Sequence, residues 1–148
     1  MKHKITSASE AVTFLTAGNA TVTLVSKTSG DHMTFKVTKP WNHETNKRDF
    51  DAGVFFVNQL TGDPNSDDYR NYVGFIKSGE TRLIAGRKGN PESKAFKGFD
   101  WAWSKLNAGK MPEQLEILHS GNCCRCGRKI TRPDSLARGI GPECAKHF

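Results

Sequence analysis

Residues 123–147 read CCRCGRKITRPDSLARGIGPECAKH, in which Cys123 and Cys126 form a C-x-x-C pair and Cys144 and His147 a C-x-x-H pair. Seventeen residues, 127–143, separate the two pairs. Two thiolates three positions apart, in a turn relaxed by Gly127, can both point at one ion about 2.3 Å away. The second pair needs a helical first turn. Gly141-Pro142-Glu143 has that form, with a flexible residue, a proline at a helix start and an acid near the positive end of the dipole. Three thiolates and one imidazole close a tetrahedral shell, so the spacing predicts one structural Zn2+ held by Cys123, Cys126, Cys144 and His147. Cys124 either stays outside that shell or competes with Cys123. The tighter Cys124-x-Cys126 bite is the less common one, which favours Cys123 as the ligand.

The spacing C-x2-C-x17-C-x2-H resembles treble-clef fingers of the GATA type, which carry a cysteine where this chain has His147. The longer string CRCGRKITRPDSLARGIGPEC resembles, more specifically, a zinc-knuckle domain of unknown function found in small uncharacterised proteins of bacteriophages and their bacterial hosts. That second resemblance extends upstream through LVSKTSG, FFVNQLTG, DYRNYVGFI and AFKGFDWAW. It implies a phage-like origin and a zinc site, and no activity. GATA fingers place a recognition helix after the third ligand. The sequence ends at Phe148, so no such helix is expected here.

A chain of 148 residues suits one domain with one core. Its formal net charge is +7, and the excess concentrates around the proposed metal. Residues 120–148 hold Arg125, Arg128, Lys129, Arg132, Arg138 and Lys146 against Asp134 and Glu143. A zinc with three thiolates adds about −1 there, which trims the basic patch without erasing it. Arginines on a metal-stapled loop are pre-organised for bidentate phosphate contacts; the plain alternative is a solvated basic surface. All four cysteines fall between Cys123 and Cys144, a distribution that reads as metal binding rather than a disulfide framework. Met1-Lys2-His3-Lys4 leads into polar residues, and no apolar run approaches the roughly 18 residues of a membrane span. A cytoplasmic protein is expected.

Periodicity predicts an α+β domain over residues 1–119, with the zinc knuckle, 120–148, docked on it. Ser7-Ala8-Ser9-Glu10 has capping-box form and opens a short helix through Thr16 that Gly18 stops. Ala20–Ser26 and Met33–Thr38 alternate as a hairpin around residues 27–31. Gly53–Leu60 is too apolar and β-branched to be other than a buried strand. The acidic run after Gly62 resembles an EF-hand loop from Asp63, but Asp68 stands where the glycine belongs and Gly74 where the glutamate belongs, so a hairpin loop is expected. Tyr69–Lys77 and Thr81–Ala85 then complete an antiparallel β-meander of about five strands. One long helix, Pro91 to Ala108, covers it. Asn90 is its N-cap, Gly109 its stop, and Ala95, Phe96, Phe99, Trp103 and Leu106 its buried stripe. Leu115, Ile117 and His119 alternate into a last strand that leads to Cys123.

Three further clusters invite chemistry. Trp41 with Lys39, Lys47 and Arg48 would stack on a base while the cations hold phosphates, unless Trp41 is a lid over the sheet. Gly86-Arg87-Lys88-Gly89 precedes the expected helix start and so suggests an anion site. His43, Glu44, Asp49 and Asp51 share one polar, patternless loop that would suit a general base or a hydrolytic metal. Trp101 lies off the helix stripe, and either buries against the zinc module, the favoured reading, or stays exposed for stacking or a partner.

The leading reading is a non-catalytic, zinc-containing nucleic-acid-binding protein. Arg125, Arg128, Lys129, Arg132 and Arg138 would contact phosphates, with stacking from Trp41 or Trp101. Single strands or structured RNA are favoured over sequence-specific duplex, since no helix is available for the major groove. From a different class comes a phage accessory protein that binds a host protein, with zinc as scaffold only. A third reading is a nuclease-like enzyme built on the loop 39–51.

Overall fold

Phe99 lies where helix and sheet register: its ring meets Phe35 edge-on at 5.1 Å and lies parallel to Trp103 at 6.4 Å. The computed structural model describes residues 3–61, 70–119, 121–126, 128–130, 139–141 and 146. In chain order the elements are β1 (His3–Ile5), α1 (Ala8–Leu15), β2 (Asn19–Ser26), β3 (His32–Thr38), β4 (Trp41–Asn42), β5 (Lys47–Arg48), β6 (Val54–Leu60), β7 (Arg70–Lys77), α2 (Lys94–Asn107) and β8 (Leu115–His119). Six of these strands form one antiparallel sheet in the order β1-β8-β2-β3-β6-β7, and β4 with β5 makes a separate two-stranded ribbon. The fold is therefore α+β, with an antiparallel sheet and two helices.

Alternation dictates which strand faces enter the core. Ala20, Val22 and Leu24 of β2, Phe35 and Val37 of β3, and Phe55 and Val57 of β6 are all buried, as period-2 side chains on one face should be. On the other face the Thr23 and Thr34 hydroxyls, paired across the strands, hydrogen-bond at 2.9 Å. Ser7 caps α1 by accepting the Glu10 N–H at 3.4 Å, and α1 buries Ala8, Ala11, Phe14 and Leu15. Helix α2 buries Ala95, Phe99, Ala102, Trp103 and Leu106. It ends in a Schellman turn: Lys110 N–H reaches the Lys105 carbonyl and Gly109 N–H the Leu106 carbonyl, with Gly109 at φ +79°. No helix among the described residues is long and apolar enough to cross a membrane.

Four expectations are corrected. The sheet is not a five-strand meander under one helix, because β8 enters between β1 and β2, and because α1 also packs on the sheet and on α2. Residues 81–85 form no strand; only Ile84 bridges to Phe75. Helix α2 starts at Lys94 behind Ser93, whose hydroxyl accepts the Phe96 N–H at 3.1 Å, while the Asn90 side chain is spent on the Glu92 N–H at 3.0 Å. Trp101 is not buried: it is 38% exposed. The expected hairpin loop at 62–69, with Tyr69, lies outside the described residues.

Instead of adding a strand, the segment after β7 clamps α2. Asp100 accepts the Leu83 N–H at 2.9 Å and both Arg82 nitrogens, the shorter contact being 2.7 Å, and the Trp103 indole N–H donates to the Glu80 carbonyl at 3.3 Å. Burial favours the neutral acid at Asp100, but the Arg82 hydrogen bonds, the Leu83 N–H and the Arg82 charge outweigh it and hold the carboxyl below its usual 3.8. Asp100→Ala strands the Leu83 amide, and chemical denaturation at neutral pH should show a loss of about 1–3 kcal/mol. A carboxylate with a depressed folded-state pKa stabilises above its unfolded value. The gap between wild type and variant should therefore narrow as pH falls below 3.8 through the folded-state pKa, and a gap that persists unchanged in acid would count against the clamp.

Candidate metal centre and its basic surroundings

The knuckle hangs from β8. Ile117, fully buried, pairs with Ile5 on one side and Leu24 on the other, which fixes where the strand ends. Two residues on, His119 is buried between the rings of His3 and Phe14, each 5.2 Å away, and its Nδ1 accepts the Gly121 N–H at 3.2 Å. Gly121, at φ +87°, turns the chain into a small hairpin. There Cys123 N–H donates to the Arg128 carbonyl and Ile130 N–H to the Gly121 carbonyl, both at 2.8 Å, and Asn122 bridges to Lys129.

That hairpin is stitched to the domain. Asn19 N–H, at the start of β2, donates to the Cys124 carbonyl at 2.8 Å, and Cys124 N–H donates to the Gly139 carbonyl at 2.9 Å. Cys123, Cys124, Ile130 and Ile140 belong to the same buried cluster as Phe14 and Leu15. Gly139 sits at φ +73°, where a Cβ would stand 2.5 Å from the Phe14 ring, so only glycine fits that close approach.

The Cys123 sulfur is the focus of this backbone. It is buried and accepts N–H groups from Arg125 at 3.5 Å and from Gly141 at 3.3 Å, with the Cys126 amide and thiol also directed at it. Burial pushes the thiol up, but the donors from Gly141, Cys126 and Arg125 outweigh burial and hold it below the ordinary thiol range. Cys126, in contrast, is exposed, and none of Cys123, Cys124 and Cys126 is in a disulfide. Cys124 is buried in the core rather than facing solvent. Cys144 and His147 lie outside the described residues, as do Arg132 and Arg138. Among the described residues no three His, Cys, Asp or Glu side chains group to hold a metal, a statement that includes His43, Glu44, Asp49 and Asp51 but only half of the expected zinc shell.

The basic side chains divide by environment. Arg128 and Lys129 are exposed on the hairpin. Arg125 is half-buried, its guanidinium 4.1 Å over the Phe50 ring. Gly18, at φ +126°, lies against the same ring, where a Cβ would come within 2.5 Å. Phe50 thereby joins the knuckle to the segment that carries the β4–β5 ribbon. On that ribbon Trp41 pairs with Arg48, is 46% exposed, and has the Arg48 guanidinium 5.8 Å over its ring. Lys47 is exposed next to it.

Lys39 does not belong to that surface. It is buried over the Phe55 ring at 4.1 Å and donates to the Ala52 carbonyl and, at 3.4 Å, to the Ser78 hydroxyl. Its burial lowers the amine's pKa despite the opposing charges of Asp49 and Asp51. The Gly86–Gly89 loop likewise is not at a helix N-terminus, because α2 begins only after Ser93. Trp41, His43, Glu44 and Asp49 line a shallow cavity of about 410 Å3, and the Asp49 carboxylate accepts the Asp51 N–H at 3.1 Å. The ribbon escaped sequence reading because two-residue strands carry no periodicity. Its one signal was Asn46, which takes a left-handed φ of +53° in the turn.

No curated protein and no solved structure matches this chain. Over residues 114–148, which take in β8 and the whole knuckle, the chain is similar to a family described as a family of unknown function (DUF6011).

Proposed function

We propose that this is a non-catalytic zinc-knuckle protein that binds nucleic acid, single-stranded or structured rather than duplex read by sequence. The observation that carries the reading is the buried Cys123 sulfur, on which backbone N–H groups of its own turn and of Gly141 converge. Donors aimed at a sulfur favour its thiolate form, the form that ligates metal. Cys123, Cys126, Cys144 and His147 would hold one Zn2+, which supplies structural cross-linking in a shell with no open position. Around it, Arg125, Arg128, Lys129, Arg132 and Arg138 would meet phosphates. Trp41, exposed beside Lys47 and Arg48 and joined to the knuckle through Phe50, would stack on a base. The protein would act in the cytoplasm, that of the host if it is phage-encoded.

Elemental analysis should return one zinc per chain, and chelation should unfold residues 121–141, read as loss of amide protection in hydrogen exchange. A metal-free chain with full protection would sink the metal reading. Fluorescence anisotropy with labelled single-stranded DNA and RNA should show affinity that falls roughly tenfold or more between about 50 and about 200 mM salt. The Arg128→Ala/Lys129→Ala/Arg132→Ala variant should lose most of it and flatten the salt slope. If wild type binds no nucleic acid at low salt, the knuckle is scaffold, and the reading passes to an accessory protein that binds a host protein.

A further inference from the structure

At the end of the sheet remote from the knuckle, a cavity of about 860 Å3 opens between the first turns of α2 and the β2–β3 turn. Strand β2 runs from Asn19, bonded to the knuckle, to Ser26 on the cavity wall, so its eight residues separate the two sites by roughly 24 Å. The cavity's volume falls within the roughly 300–1,000 Å3 of small-molecule sites. Trp101 lines it and also lines a shallower neighbour of about 530 Å3, as do Met33, Gly98 and Lys94. Gly98 is a mid-helix glycine, disfavoured by backbone entropy, and a Cβ there would stand 2.7 Å from the Met33 methyl. The helix thus stays bare beside an exposed indole.

The polar lining combines two carboxamides, Gln59 and Gln114, with the His32 imidazole and the hydroxyls of Ser26, Ser29 and Ser93. Gln59 of β6 and Gln114 ahead of β8 bring side-chain amides that make no hydrogen bond among the described residues. The carboxylate and ammonium of the lining, Asp31 and Lys94, pair with each other at 3.5 Å. Lys94 is the one lysine among the lining residues, and no arginine is among them. A carboxamide offers a donor and an acceptor side by side, the pattern that matches a base edge, and an indole offers a face to stack on.

We infer that this cavity binds a planar heteroaromatic ring of the nucleobase type, stacked on Trp101 and read by the Gln59 carboxamide. The ring comes either from a free nucleoside or from one base of a single strand, and the site is independent of the knuckle. Isothermal titration of the full chain with the four ribonucleosides, which carry no phosphate, should give a Kd near or below about 1 mM for at least one. Trp101→Ala should weaken it about tenfold or more. Gln59→Leu, which keeps the bulk and removes the amide, should do the same, and Arg128→Ala/Lys129→Ala should leave it unchanged. If nucleosides do not bind but a short oligonucleotide does, with the same losses in Trp101→Ala and Gln59→Leu, the base is supplied by a strand. If neither ligand responds to these two substitutions in variants that keep the wild-type circular dichroism, the inference is overturned. A knuckle that binds no nucleic acid leaves the nucleoside titration standing, so the two readings fail separately.

Discussion

Strand β8 is hydrogen-bonded on both sides, to β1 and to β2, and the placement of the hairpin that follows it depends on that double pairing. Ile117 sits at its middle with no exposed surface, wedged between Ile5 and Leu24. Slipping the strand by one residue would turn Leu115, Ile117 and His119 to the other face, so the apolar pattern and the ladder hold one register together. With β8 fixed, His119 and Gly121 are fixed, and the hairpin that carries Cys123 leaves the sheet at one place only.

The knuckle gains from the core what its own few residues cannot supply. Cys123, Cys124, Ile130 and Ile140 share the buried cluster of the sheet domain, and Phe14 of α1 closes against Gly139. Small loop-rich modules ordinarily lean on a metal or disulfides for stability. Here the domain also contributes: backbone bonds from Asn19 and to Gly139 place Cys124 inward, and they leave the neighbouring sulfur, that of Cys123, at the meeting point of the turn's amides. Burial and hydrogen bonding oppose each other at that atom, and the hydrogen bonds prevail.

How legible this was in the sequence follows from the range of the interactions. Strands β2, β3 and β6 and the buried stripe of α2 were readable because alternation and the helical repeat are local, and the α1 cap because Ser7 and Glu10 lie three residues apart. The placement of β8 was not, since pairing with both β1 and β2 is decided by partners far along the chain. Strand β1 offers one buried apolar residue, Ile5, too little for a pattern. Asn90 and Ser93 are both good caps, and only the amides that each side chain captured distinguish them. Lys39 looked like a surface cation by type, whereas Phe55 and the Ala52 carbonyl make a place for it below the surface. Within the knuckle, spacing alone separated Cys123 from Cys124 in the sequence, and the burial of Cys124 and the N–H groups aimed at the Cys123 sulfur depend on the fold.

The strand order has a further consequence for how the chain is made. His3 and His119 pair although more than a hundred residues separate them, whereas β2, β3, β6 and β7 each pair with a near neighbour in sequence. As the chain leaves the ribosome, those four can zip together early, since short loops close at little entropic cost. Until β8 emerges, after α2, β2 keeps a free edge and β1 has no partner in the sheet. That open edge of β2 is the vulnerable feature of the nascent protein, and the strand that covers it leads directly into the cysteines.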